Sequence, residues 1–224
     1  DFYARNVQLL EGGHYRYDLV TPSGAFEGCT LGVPGWVNIE NAVAAVASVW
    51  CAAKAGGTPL DADKLRGALA SFSGVKRRFE FYVNTPKQVY MDDYAHHPTE
   101  IQATLKAARQ THPERLIVVF QPHRYTRTQL LLDEFAVAFK DADKLIVTDI
   151  YAASEDPIPG VSGEMLADKV RETTGQQVEY LPDQPTILDH LEHEAQSGDL
   201  IMTIGAGDIY KLGEHLVQAL ERRN

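Results

Sequence analysis

The chain has 224 residues, 44% hydrophobic and 23% charged, the balance of a globular protein with a sizeable buried core. Its formal net charge of −10 argues against a general nucleic-acid or anionic-membrane surface, although local arginine clusters can still hold a phosphate or carboxylate. No apolar run approaches the ~20 residues of a membrane span, no signal pattern opens the chain, and Cys29 and Cys51 lack metal-ligand spacing, so free thiols in a reducing cytoplasm are expected.

Residues 1 to about 35 read as β-rich, with strands predicted at 7–10, 15–20 and 26–31 between Gly12-Gly13 and Pro22-Ser23-Gly24 turns. Pro34-Gly35 breaks the pattern, and Asn38 or Asn41 can cap an Ala-rich helix that runs to about Ala55. Gly56-Gly57 ends it, and Asp61 caps a second helix over 62–71. From residue 80 the rhythm becomes strand, helix, strand, helix. Strands are predicted at 81–83, 89–91, 116–120, 145–148, 178–181 and 200–204, and helices at 99–111, 128–139, 162–174, 186–196 and 209–222.

Apolar runs such as Leu116-Ile117-Val118-Val119-Phe120 read as strands buried on both faces. The alternation predicts an α/β domain over 83–224, Rossmann-like, with a mostly parallel sheet and helices on both faces. A partial α+β segment over 1–82 precedes it. The boundary is expected near 82–87, where Asn84-Thr85-Pro86 interrupts the pattern.

The densest chemistry is Asp92-Asp93-Tyr94-Ala95-His96-His97-Pro98-Thr99-Glu100, read as a strand-to-helix turn holding two carboxylates, a phenol and two imidazoles. Pro98, Thr99 and Glu100 suit an ordinary helix start. Asp92, Asp93, Tyr94 and His96 have no such explanation, and in open α/β sheets ligands bind at the carboxyl ends of strands. A second string, Gln121-Pro122-His123-Arg124-Tyr125-Thr126-Arg127, follows the strand ending at Phe120 and should share that edge. Arg124 and Arg127 are three apart, which on an incipient helix puts both guanidiniums on one side, suited to a carboxylate or phosphate.

Gly74-Val75-Lys76-Arg77-Arg78-Phe79-Glu80 can clamp a phosphate or simply coat a linker. Gly205-Ala206-Gly207-Asp208 resembles a phosphate-type turn, though glycines also serve tight strand-to-helix packing. The loop Tyr151-Ala152-Ala153-Ser154-Glu155-Asp156-Pro157 is a third on the presumed ligand edge. No protein-held metal site is expected, because adjacent His96 and His97 diverge and no His-x-x-x-His spacing occurs.

These strings, together with Gly35-Trp36-Val37-Asn38-Ile39-Glu40-Asn41-Ala42, occur in an order and spacing that resembles the Mur ligase family over essentially the whole chain. The Gln-Pro-His-Arg-Tyr-x-Arg string favours the branch that joins L-alanine to UDP-N-acetylmuramate over the branch that recycles murein tripeptide. The resemblance implies an enzyme of three domains, of which this chain would hold the end of the central ATP-binding domain and the whole carboxy-terminal, amino-acid-binding domain. It implies ATP and magnesium as cofactors and peptidoglycan precursor synthesis through an acyl phosphate. Asn38 and Asn41 would contact adenine, Arg78 the nucleotide phosphates, and Asp93 the ribose or the arginine. Tyr94, His123, Arg124 and Arg127 would bind L-alanine, and His96 would assist its deprotonation.

The sequence departs from that pattern in lacking any Gly-x-x-Gly-Lys-Thr phosphate loop and in starting without Met, which points to a fragment without turnover of its own. Readings of another class are a noncatalytic α/β nucleotide- or metabolite-binding module, and a metal-dependent hydrolase built on Asp92-Asp93 and His96-His97.

Overall fold

The computed structural model describes residues 1–221 apart from Pro86 and His112, with side chains described through residue 217. Arg222, the predicted end of the last helix, and Pro86, within the predicted boundary, lie outside the described residues. The chain forms two compact units, Asp1–Gly74 with Gln110–His112, and Val75–Arg109 with Pro113–Asn224. Among the described residues no helix is long and apolar enough to cross a membrane.

In the first unit β1 (Tyr3–Leu9), β2 (Tyr15–Thr21) and β3 (Gly24–Thr30) form an antiparallel sheet in that order. The alternation of β2 turns Tyr15, Tyr17 and Leu19 inward, where they meet Cys29, Ile39, Ala42, Val46 and Leu69. Helix α1 (Trp36–Ala55) supplies Ile39, Ala42 and Val46, and α2 (Ala62–Ser71) supplies Leu69. Asp61 caps α2 as expected, accepting from the amides of Asp63 and Lys64. The cap expected of Asn38 or Asn41 does not form. Gly35, at φ 96°, turns the chain early enough for α1 to begin at Trp36, and the Asn38 amide instead donates back to the Pro34 carbonyl at 2.6 Å. Cys29 is buried and Cys51 exposed, both as free thiols.

The second unit carries a six-stranded sheet in the order β4-β5-β9-β6-β7-β8. These strands are β4 (Glu80–Asn84), β5 (Val89–Asp93), β6 (Arg115–Phe120), β7 (Lys144–Val147), β8 (Val178–Tyr180) and β9 (Asp199–Ile204), and only β4 runs antiparallel. Period-two alternation divides the core. Leu116, Val118 and Phe120 of β6 face one layer of helices, and Ile117 and Val119 face the other. On the first face lie α3 (Pro98–Arg109), α5 (Leu132–Phe135), which follows the short α4 (Tyr125–Leu130), and α6 (Gly163–Thr174). On the second lie α7 (Gln184–Glu194) and α8 (Tyr210–Glu221). This is the mostly parallel, doubly covered sheet that the strand–helix rhythm predicts.

Two expectations change. The helix predicted over 128–139 is broken, because Leu131 leaves helical geometry at φ −112°, ψ 24°, while Phe135 and Phe139 stay buried against Phe120. Asp92 and Asp93 are not turn residues but the last two of β5, paired with Thr203 and Ile204. A strand can end on two buried carboxylates here because each has its own donors.

Candidate active site at the carboxyl edge of the sheet

Strand register makes the site. Asp93 pairs with Ile204, Ile204 with Phe120, and Phe120 with Val147, so four parallel strands end flush. Because β9 inserts between β5 and β6, the chain order reverses at this point, and the loops following these four strands open on one edge.

At the end of β5, Asp92 is fully buried. It accepts from Thr203 Oγ1 at 2.6 Å and Arg77 Nε at 3.0 Å. Asp93 accepts from the amides of Phe79 and Ala95, both at 2.8 Å. Burial raises both carboxyl pKa values above the ordinary range, opposed by these hydrogen bonds. Neither carboxylate is open to a cation, so the metal-hydrolase reading loses its ligands.

The turn after β5 carries Tyr94, His96 and His97. Glu100 reaches back to the amides of His96 and His97 at 3.0 and 3.3 Å and so organises the start of α3. His97 diverges to the exposed side, toward Thr99. His96 stands edge-on to Tyr94, with its Nδ1 3.0 Å from the Tyr94 carbonyl and 3.5 Å from Glu100 Oε2. Both neighbours of Nδ1 are acceptors, so in the neutral ring the tautomer with the proton on Nδ1 fits and Nε2 carries the lone pair.

The next ring is His123, 6.0 Å from His96 between centroids, and it stacks on Tyr151 at 5.6 Å and 11°. Arg127 Nη1 lies 3.2 Å from His123 Nδ1, which makes that nitrogen the acceptor. Burial lowers the His123 pKa first, and then Arg127, His96 and Arg124 add to the effect. The expectation that Arg124 and Arg127 share a helical face does not hold. Arg124 precedes α4 at φ 74°, and its amide is tied to the Tyr151 carbonyl. Its guanidinium is exposed and makes no hydrogen bond among the described residues. The Thr126 hydroxyl and amide bind Glu155, joining the start of α4 to the loop after β7 and holding the Glu155 carboxyl below its usual range.

The Gly205–Gly207 turn serves packing. A Cβ on Gly207 would lie 2.3 Å from Gln121 Oε1 and 2.6 Å from the Tyr151 ring. The carbonyls of Gly205 and Gly207 accept from Arg77 at 2.6 and 3.0 Å. Arg77, and not its neighbour Arg78, is the arginine that turns inward, and no periodicity in the sequence distinguishes the two. Arg78 is exposed, with its guanidinium 5.5 Å from the Tyr94 ring centre.

Tyr94, His96, His123, Arg124 and Arg127 thus gather at one edge, with Tyr151 among them. Asn38 and Asn41 stand on α1 of the first unit. The one group of three metal-type side chains found among the described residues, Glu179, His190 and Glu194, lies elsewhere, around the buried ammonium of Lys144.

Residues 77–207 match the Mur ligase, glutamate ligase domain, and the chain belongs to the Mur ligase family. Among curated relatives, the UDP-N-acetylmuramate–L-alanine ligase of Desulforamulus reducens is 46% identical over 193 residues, 86% of this chain and 40% of that protein. The enzyme of the same name from Symbiobacterium thermophilum is 42% identical over 224 residues, 100% of this chain and 45% of that protein. The crystal structure of UDP-N-acetylmuramate–alanine ligase MurC from Thermotoga maritima matches with a TM-score of 0.79 at 25% identity, covering 100% of this chain and 46% of that one. The chain spans less than half the length of these relatives.

Proposed function

We propose that this chain is the amino-acid-receiving part of an ATP-dependent, cytoplasmic ligase that joins L-alanine to UDP-N-acetylmuramate in peptidoglycan precursor synthesis. The observation that carries this reading is the juxtaposition of a lone-pair imidazole nitrogen, His96 Nε2, with the His123–Arg127 pair and the exposed Arg124. ATP, when bound, supplies the phosphoryl group that turns the muramoyl carboxylate into an acyl phosphate.

The chain's own residues then orient and deprotonate the amine. Arg124 and Arg127 hold the alanine carboxylate, with Tyr94 and His123 beside it. The nitrogen lone pair attacks the carboxyl carbon, a C–N bond forms, and phosphate leaves. The amine proton passes to His96 Nε2. A neutral His123 suits this edge, because two arginines already supply the positive charge.

On the second unit Arg78 is exposed and suits a nucleotide phosphate, and Asp93 holds the segment that carries it. On the first unit Asn38 and Asn41, their side chains 3.5 Å apart, suit a base ring. At this edge Asp92 and Asp93 do not fit a magnesium site, since both are engaged by protein donors. Lacking a Gly-x-x-Gly-Lys-Thr loop, the 224-residue chain by itself should show no alanine-dependent ADP release. In a ligase of full length, Arg124→Ala should raise the KM for alanine far more than that for ATP, and an equal rise in both would overturn the assignment.

A further inference from the structure

Asp92 and Asp93 are adjacent on β5, so their side chains leave the strand in opposite directions. They reach different members of one string. Asp92 binds the Arg77 guanidinium, and Asp93 binds the Phe79 amide. Between these two anchors stands Arg78, exposed beside Tyr94.

The Arg77 anchor is thorough. Nε meets Asp92 at 3.0 Å, Nη1 meets the Gly207 carbonyl at 3.0 Å, and Nη2 meets the Gly205 carbonyl at 2.6 Å. The rings of Tyr210 and Tyr94 lie 4.5 and 5.1 Å from its guanidinium carbon. Its own amide donates to Glu80 at 2.6 Å, and its carbonyl accepts from the Tyr94 amide at 2.7 Å. Behind Asp92, Thr203 Oγ1 donates to the carboxylate and the Tyr90 hydroxyl pairs with Thr203 at 2.7 Å, which makes Tyr90 the donor in a continuous relay.

The backbone reports what this anchoring opposes. Arg77 and Phe79 both take positive φ, 59° and 51°, in the left-handed region that side chains other than glycine rarely adopt. Positive φ costs any side chain but glycine, so the conformation persists here because the contacts of Arg77 and the Phe79 amide over-determine it. The strained pair flanks Arg78 on both sides, which turns Arg77 and Phe79 inward and leaves Arg78 facing out.

We propose that Arg77, locked by Asp92 and the Gly205–Gly207 carbonyls, is a positioning residue that presents Arg78 to an anionic phosphate group. This rests on the ligase reading, in which Arg78 meets the nucleotide phosphates, and adds that the neighbour which touches no substrate sets its geometry. Lysine cannot replace Arg77. A single ammonium cannot span two carbonyls and a carboxylate with the fixed fork of a guanidinium.

The test uses the 224-residue chain, with inorganic pyrophosphate and L-alanine as separate probes, read by NMR at the guanidinium Nε–H groups of Arg78 and Arg124. Pyrophosphate is expected to shift Arg78 in the parent chain. Arg77→Lys, which keeps the charge, should weaken that response about tenfold or more, the loss of roughly one charge-assisted contact (~1.4 kcal/mol per tenfold). Asp92→Asn should weaken it less. The Arg124 response to L-alanine should stay unchanged in both variants, a split that general loosening of the fold would not give. Equal pyrophosphate affinity in the parent and Arg77→Lys would overturn the positioning role and leave the ligase reading standing. No Arg78 response in the parent chain would overturn the phosphate role of Arg78, and the proposal with it.

Discussion

The His123 imidazole lies flat on the Tyr151 ring, and the loops that carry the two are joined like strands, Tyr151 N–H to the Pro122 carbonyl and Arg124 N–H to the Tyr151 carbonyl. The stack has a floor. Gly207 packs so closely beneath Tyr151 and Gln121 that no side chain fits. Gly207→Ala should therefore displace Tyr151 or Gln121 and cost about 1–3 kcal/mol, the usual range for overpacking a tight interior. Denaturant unfolding would report the cost, and the loss of the Tyr151 ring-current shift at His123 would report its location. Unchanged stability together with an unchanged His123 shift would refute the packing argument.

The same stack makes a pH prediction. Burial, then Arg127, His96 and Arg124, lower the His123 pKa below its ordinary value. The folded state thus binds fewer protons at His123 than the unfolded state does. No penalty exists while both forms are neutral, above an unfolded pKa of about 6.5. As pH falls from there toward the folded pKa, stability is progressively lost. Arg127→Met removes the largest charge contribution and should move the His123 titration upward. An NMR titration in which that variant left His123 unchanged, or moved it down, would show the Arg127 contact to be electrostatically idle.

Much of this arrangement is legible in the sequence where structure is periodic. The runs ending at Phe120 and Ile204 declare themselves as buried strands, and their flush ends bring the Tyr94–His96 turn beside His123. Asp61 is legible as a cap because a short acceptor directly before a helix has the free first-turn amides within reach. What fails is decided by single backbone angles. Gly35 at φ 96° starts α1 before either asparagine can cap it, and Arg124 at φ 74° stands outside the helix that was to align it with Arg127. Arg77 and Arg78 are indistinguishable in sequence. Only the left-handed turns at Arg77 and Phe79 decide which guanidinium turns inward.

A second close approach braces the support behind Asp92. A Cβ on Gly213 of α8 would fall 2.2 Å from the Tyr90 ring, whose hydroxyl pairs with Thr203. Gly213→Ala should push Tyr90 off that bond. Ala favours the helix by about 1 kcal/mol over Gly, so helix propensity alone predicts stabilisation. Overpacking at about 1–3 kcal/mol acts against it. We expect net destabilisation together with faster hydrogen exchange at the Met91 and Thr203 amides. A variant more stable than the parent would mean that α8 shifts to make room.

The opposite edge of the sheet tests whether site and scaffold are separable. Lys144 begins β7, only 3% exposed, and its ammonium meets Glu179 Oε1 at 2.7 Å, His190 Nε2 at 2.9 Å and Glu194 Oε2 in a short contact. Arg115 joins the group through Glu194 and Asp199. Breaking a fully buried ion pair costs about 3–5 kcal/mol, but the Glu179 and Glu194 side chains remain 35% and 23% exposed and can recover water. Exposed pairs contribute only ~0–1 kcal/mol. Lys144→Met, which keeps the stem and removes the charge, should thus fall between these limits, at roughly 1–3 kcal/mol. Lys144 stands at the amino end of its strand, whereas the site hangs from the carboxyl ends, so the Arg78 and His123 resonances should not move. A large shift at His123 in that variant would show that the two edges are coupled through the sheet, and the carboxyl-edge site could no longer be treated as self-contained.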